Sequence, residues 1–443
     1  VERLAGATDA RAALLGRALE YLDSLGTEAA DDLTLVTELA AAYEKVGDLQ
    51  GNPTNPNLVE LDAAIATYRK ARTLRERVQG RLGSLAAGMG LAENRRVLGT
   101  ILAQANDFPA AGEELAAALR SYEAFAARFP ADVAIGRAVA RTRHDVGRNY
   151  TNTKRYGDAL EYFAGAITLA ERLRRGHPDD LDTLALLADS HAQYGLALSW
   201  EGRQREAETA MAQAAALYEP AVAAHPDNVI LTAGLWSTYW LTSSVYEEQD
   251  DAQSHVFAMK ALDVARVALA RDPANMRARQ QLAKALSRAG QTSTNTERHA
   301  DAVRYLLEST STLRAMTSRE VRNGRLNSDL ALALTRLAQA RLRQGQAEAA
   351  LAHAEEAAAI YRDVTEAAAG DKRSVRNLVL TYELIGDIHR SRQREQDARA
   401  SYGQAVALLE QLRGRNALAG VDVAYLDGLR VKAGASGASL PRE

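Results

Sequence analysis

Apolar and small residues return along this chain at spacings of four and three, the spacing of one face of an α-helix, and no comparable alternation marks strands. One triplet carries the pattern: a small residue, a second residue four positions on that is larger in most copies, and another small residue three later. It recurs as Ala64/Tyr68/Ala71, Ala111/Leu115/Ala118, Ala159/Phe163/Ala166, Ala207/Met211/Ala214, Ser254/Ala258/Ala261, Ala302/Leu306/Ser309, Ala350/Ala354/Ala357 and Ala398/Tyr402/Ala405. The last members stand 47 or 48 residues apart through all eight copies, so the chain is predicted to be an array of one repeated unit.

A second series precedes the triplets: Gly47, Gly99, Gly147, Gly195, Ser243, Gly290, Ala338 and Gly386, 12 positions before the first triplet member in six of the eight copies. A third, Pro130, Pro178, Pro226 and Pro273, falls where a helix should end, because a ring without N–H cannot continue it. The small series predicts a helix A that crosses a helix B closely, where neither carries a bulky side chain. The offsets resemble the tetratricopeptide repeat, with its small residues in helices A and B and its closing proline. The period of 48 exceeds the usual 34 of that family. The excess places about seven residues in each helix, roughly two turns at 3.6 residues per turn, which keeps the contact face unrotated.

The resemblance implies an all-α, right-handed superhelical solenoid of elongated helix-turn-helix repeats, about 18 helices in all. Residues 1–27 are expected to form a capping half-repeat, followed by eight pairs over 28–80, 81–128, 129–176, 177–224, 225–271, 272–320, 321–368 and 369–415. A capping helix is expected over 416–433 and a flexible tail over 434–443. Gly51-Asn52-Pro53-Thr54-Asn55-Pro56 interrupts the first pair with an added turn.

Two strings are more specific. Ala18 to Leu25 (ALEYLDSL) and Ala40 to Pro53 (AAAYEKVGDLQGNP) resemble the start of the repeat region that follows the catalytic domain in a group of bacterial serine/threonine protein kinases. That resemblance implies a sensor or scaffold beside a kinase, tethered by an upstream transmembrane helix and lying outside the cytoplasmic membrane, with a cytoplasmic location as the alternative. The chain opens at Val1 without a methionine, which fits a piece of a longer protein. It carries no Gly-rich loop after a strand, no Val-Ala-Ile-Lys strand, no His-Arg-Asp loop and no Asp-Phe-Gly, so the resemblance brings no catalytic residue.

Composition removes further classes of function. Lys+Arg (54) nearly balances Asp+Glu (57), giving a net charge of −3, which leaves no nucleic-acid footprint. With no Cys there are no disulfides, thiolate metal sites or Cys nucleophiles. No stretch of 18 apolar residues is present, so this chain is not expected to insert in a membrane. The eight His include no pair at i and i+4 and no His-Glu-x-x-His; His177 and His225 precede prolines and read as turn residues. Gly83 to Gly90 lacks the strand and acidic partner of a nucleotide loop, and no Gly-x-Ser-x-Gly is present. No cofactor, metal or catalytic residue is expected.

What remains is binding. In the resembled family, positions 5, 9 and 12 of the A helices line the concave side. That register selects Glu44 and Asp48; Arg96 and Thr100; His144, Arg148 and Thr151; Trp240, Ser244 and Glu247; Ser287, Gln291 and Thr294; Thr335 and Gln339; and Glu383, Asp387 and Arg390. Arg96, His144 and Arg148 are candidates for a basic pocket that holds a carboxylate or phosphate. Trp240, in the densest aromatic stretch (Trp236, Tyr239, Trp240, Tyr246), is either a binding hot spot or filler for an irregular fifth pair. The favoured function is capture of a protein or peptide in the groove. The alternatives are a homo-oligomerising spacer and a small-molecule sensor near Trp240.

Overall fold

A computed structural model of the chain describes residues 8–28, 32–51, 61–247, 249–273, 275–318, 324–367, 372–414 and 420–434. The turn expected from Gly51 to Pro56 lies outside these from residue 52 on, as does the tail from 435 on. Among the described residues the chain is all-helical, with eighteen helices and no strand, the fold class predicted from the repeat. It divides into two compact units, Val1–Arg277 and Ala278–Glu443.

The first unit contains α1 (Thr8–Glu28), α2 (Leu33–Gly51), α3 (Leu61–Leu82), α4 (Leu85–Gln104), α5 (Phe108–Arg128) and α6 (Val133–Asn152). It continues with α7 (Tyr156–Gly176), α8 (Leu181–Trp200), α9 (Gln204–Ala224), α10 (Val229–Val245) and α11 (Asp251–Arg271). The second unit takes up at α12 (Met276–Asn295), then α13 (His299–Thr317), α14 (Gly324–Arg343), α15 (Ala347–Ala367), α16 (Lys372–Ser391), α17 (Glu395–Gly414) and α18 (Gly420–Lys432). Even-numbered helices from α2 to α16 carry the small series and are A helices, as is the lone α18 by its place in the order; odd-numbered ones from α3 carry the triplets and are the B helices. Each A helix of the first unit packs on the B helix that follows it, and A helices also meet the next A helix: α4 on α6, α6 on α8, α8 on α10.

All eight first and all eight last members of the triplets are fully buried, so these are the crossings. The partner at each crossing corrects the expectation of small against small. A Cβ built on Gly147 would lie 2.8 Å from the Phe163 ring, and one on Gly386 would lie 2.4 Å from Tyr402. Gly47 meets Tyr68, Gly99 meets Leu115 and Gly290 meets Leu306 in the same way. The missing side chain therefore houses the bulky middle residue of the triplet. Where the small series carries a Cβ, at Ser243 and Ala338, the middle residue shrinks to Ala258 and Ala354, and all four are buried. A Cβ on the A helix thus goes with a small middle residue on the B helix, as close packing demands.

Turns follow the same economy of parts. Helices α5, α7, α9 and α11 stop two residues before their prolines, with Phe129, His177, His225 and Asp272 out of the helical region, which a following proline disfavours. Asp132, Asp180 and Asn228 then cap α6, α8 and α10 through their side chains, so one short turn ends a helix and starts the next. The A-to-B turns place one residue in the left-handed region: Asn106, Lys154, Gly202, Glu297, Gly345 and Gln393. In the fifth pair Asp250, at φ −150°, caps α11.

Candidate ligand-binding face of the A helices

Hydrogen bonds and ion pairs stitch neighbouring A helices side by side. In the first unit, Asn94 of α4 donates to Glu44 of α2 at 2.9 Å. Arg96 Nη1 of α4 reaches Asp145 Oδ2 of α6 at 2.7 Å. Arg137 of α6 meets Asp180 and Asp182 at the start of α8 at 2.8 and 2.9 Å. His144 Nδ1 of α6 lies 3.1 Å from Ser190 Oγ of α8. In the second unit, Gln280 of α12 donates to Asp329 of α14, Arg336 of α14 to Ser287 of α12, and Thr335 of α14 pairs with Thr381 of α16. Lys432 of α18 joins Glu383 and Asp387 of α16.

This stitching decides which expected residues have capacity left. Arg96 holds Glu93 through two bonds at 2.6 and 2.9 Å besides Asp145. Burial works against the charged form of Glu93, yet Arg96 holds its pKa below the usual carboxylate range. The guanidinium is already filled from two sides. His144 is 8% exposed, and its ring meets Phe163 edge-on at 5.6 Å. Burial, aided by Arg148, Arg141 and Arg96 and opposed by Asp145, pushes its pKa down to about 4, so it is a neutral ring at physiological pH. Of the basic pocket expected from Arg96, His144 and Arg148, only Arg148 is exposed.

The other positions divide by solvent access. Thr100 and Thr151 spend their hydroxyls on the carbonyls of Val97 and Gly147 in their own helices. Trp240 is half-buried, stacks on Trp236 at 6.3 Å between centroids and packs against two core clusters of the first unit, with Ser244 donating back to its carbonyl. In the second unit Gln291 is half-buried and Gln339 exposed. Glu383 accepts from Tyr425 as well as Lys432, and Asp387 accepts from Tyr402 at 2.7 Å. The structure thus places Arg96, His144 and Arg148 together and leaves Gln291, Gln339, Glu383 and Asp387 on the other unit.

Residues outside the expected set extend this neighbourhood on α6 and α8. Arg141 lies one turn before it on α6, half-buried. Asp189 of α8 accepts from Tyr218 at 2.6 Å, and burial raises its pKa although Tyr218, Arg148 and Arg141 draw it down. On α8 the next inward positions are Ala192, buried, and Leu196, half-buried. A signal for part of this existed in the sequence: several A-to-A partners stand 49 apart, one period plus one, as in Arg96–Asp145 and Gln280–Asp329. Arg141, His144 and Arg148 stand at i, i+3 and i+7, one stripe of a helix.

An open depression of about 470 Å³, whose lining does not include Trp240, lies at the α7–α8 turn, lined by Leu181, Leu184, Leu217 and Pro220 among others. Among the described residues no helix is long and apolar enough to cross a membrane.

The tetratricopeptide repeat family matches residues 139–179, from within α6 through α7 to the turn after it. No curated protein matches the sequence. Several solved structures are similar. The apo form of the quorum sensor NprR from B. thuringiensis aligns with 79% of this chain and 97% of its own at 14% identity and a TM-score of 0.43. Aspartyl phosphate phosphatase F from Bacillus subtilis aligns with 99% and 98% at 11% identity and a TM-score of 0.44. BtubC from P. vanneervenii aligns with 64% and 94% at 14% identity and a TM-score of 0.43.

Proposed function

We propose that this chain is a non-catalytic interaction module that takes a peptide or protein segment across the A helices of its first unit. One observation carries the reading: three A helices packed in succession change character from cationic (Arg141 and Arg148 on α6) through aliphatic (Leu196 on α8) to aromatic (Trp240 on α10). A graded face of this kind suits a segment lying across the helices, with polar groups fixing its register and rings supplying contact area. Thr100, Thr151 and Ser244 are flanking positions on that unit, and Gln291, Gln339, Glu383 and Asp387 form a second stretch on the other. The family match at residues 139–179 supports the reading because it falls on the cationic helix. The chain's place as the sensor or scaffold region of a bacterial serine/threonine protein kinase, outside the cytoplasmic membrane, belongs to the same proposal and rests on the strings at 18–25 and 40–53.

Selection of peptides from a displayed random library on the whole chain tests the function. Peptides that bind wild type and lose affinity for both Arg148→Glu and Trp240→Ala support it. Selected peptides indifferent to both variants, or no selectable peptide, overturn it.

A further inference from the structure

Helices α4 and α6 carry six arginines. Arg95, Arg96, Arg137 and Arg143 are ion-paired to Glu76, to Glu93 and Asp145, to Asp180 and Asp182, and to Glu123. Arg141 and Arg148 make no ion pair within 4 Å among the described residues, although the chain has acids to spare elsewhere. The acid of α8 near them, Asp189, is turned to the Tyr218 hydroxyl instead. His144 between them is neutral and occupied by Ser190, so it neither competes for an anion nor repels a cation. Each guanidinium keeps its fork of N–H donors for something outside the chain.

On the two A helices after α6 the face loses its cationic groups, and the next is Arg277, the last residue of the first unit, which faces Asp189. Helices α8 and α10 contain no Lys or Arg, and offer half-buried Leu196 and Trp240 at inward positions. Packed helix axes stand roughly 8–10 Å apart, and an extended peptide advances about 3.3 Å per residue. A segment crossing the layer therefore spends about three residues on each step from one A helix to the next.

We infer that the occupant is an acidic peptide segment whose side-chain carboxylate is held by Arg141 and Arg148, with an aliphatic residue about three positions away over Leu196 and an aromatic or aliphatic one about six away against Trp240. This rests on the proposed function and specifies its ligand. The carboxylate supplies the direct partner that Arg141 and Arg148 do not have within 4 Å among the described residues, and charge-assisted bonds to a planar fork give direction as well as attraction. The apolar residues supply contact area where the face is uncharged.

The probe is a fluorescein-labelled nonapeptide with Glu at position 2, Leu at 5 and Phe at 8 in a Ser/Thr/Gly background, titrated into the whole chain by anisotropy. Control peptides carry Gln or phosphoserine at position 2, or move Leu to position 3. Changing Glu to Gln is expected to weaken binding to wild type about 10-fold and to Arg148→Gln less than about 2-fold, the non-additivity of two groups in contact. Moving Leu should weaken binding to both proteins alike. If Gln costs as much on Arg148→Gln as on wild type, the carboxylate is not read by Arg148 and the inference falls. A phosphoserine peptide about 10-fold tighter than the Glu peptide also overturns it, in favour of a phosphate ligand. If the Gln peptide binds as well as the Glu peptide and still depends on Trp240, the anion subsite fails while the wider reading stands. If no peptide binds, both fail.

Discussion

The third and fifth helix pairs use the same crossing with opposite allocations of volume. In the third, Gly147 of α6 gives up its side chain and Phe163 of α7 fills the space. In the fifth, Ser243 of α10 keeps a side chain, hydrogen-bonded to Ser254, and the middle residue of α11 is only Ala258. The fifth pair makes up bulk elsewhere, with Trp236 stacked on Trp240 and Tyr246 parallel to Phe257. A repeat position is thus read from two residues together: a bulky middle residue goes with glycine opposite it, and a Cβ opposite goes with a small one. The displaced aromatic volume in the fifth pair is also what puts a ring on the A-helix face.

The comparison breaks most severely if Phe163 is removed. Phe163→Ala leaves the space beside Gly147 empty and is expected to cost about 3–5 kcal/mol, read from urea denaturation midpoints; the loss should be reduced in Gly147→Ala/Phe163→Ala, which refills part of the gap. A loss below about 1 kcal/mol would show that the crossing is loosely packed.

A second difference between the pairs is chargeable. His144 in the third pair titrates, whereas its counterpart Trp240 in the fifth cannot. The folded pKa of His144, about 4, lies below the ordinary 6.5, so between those values the unfolded chain binds more protons. Stability is therefore full above pH 6.5 and falls as pH drops toward 4, by on the order of 2–3 kcal/mol from this group. Subtracting the pH profile of His144→Gln from that of wild type isolates the effect; a flat difference would place the ring in contact with solvent.

Ala258→Phe tests the reverse allocation. Alone it overpacks the fifth crossing, at a cost of about 1–3 kcal/mol, and Ser243→Gly should recover much of that loss in the double variant. Additive losses would mean that the two positions do not share volume. The smallest effect belongs to the turn of the third pair, where Lys154 sits at φ 60°, whereas Asp250, which caps α11 in the fifth pair, has φ −150°. Lys154→Gly is expected to stabilise by up to about 1 kcal/mol, visible as a small rise in melting temperature.

Much of this fold could be read in advance because its determinants repeat. The triplets, the small series and the prolines each recur at one period, and recurrence separates a packing position from a chance alanine. The pairing of Gly147 with Phe163 and Ser243 with Ala258 was also present in the letters, but it emerges only when the two series are compared copy by copy. The binding face was less legible. Register placed Arg96, His144 and Arg148 together, yet whether a side chain is spent depends on a partner one repeat away: Asp145 for Arg96, Ser190 for His144. Arg141 escaped notice because it falls outside the positions used in the resembled family, and its lack of an ion pair is visible only in three dimensions.

Helices of the first unit pack on their next and next-but-one neighbours along the chain. Such a chain has little entropy to lose in closing distant loops, so each pair can settle soon after it leaves the ribosome, without waiting for the C-terminus. During synthesis the pair just completed would then shield the apolar side of the one before, and a stalled or shortened polypeptide would still carry folded pairs at its N-terminal end.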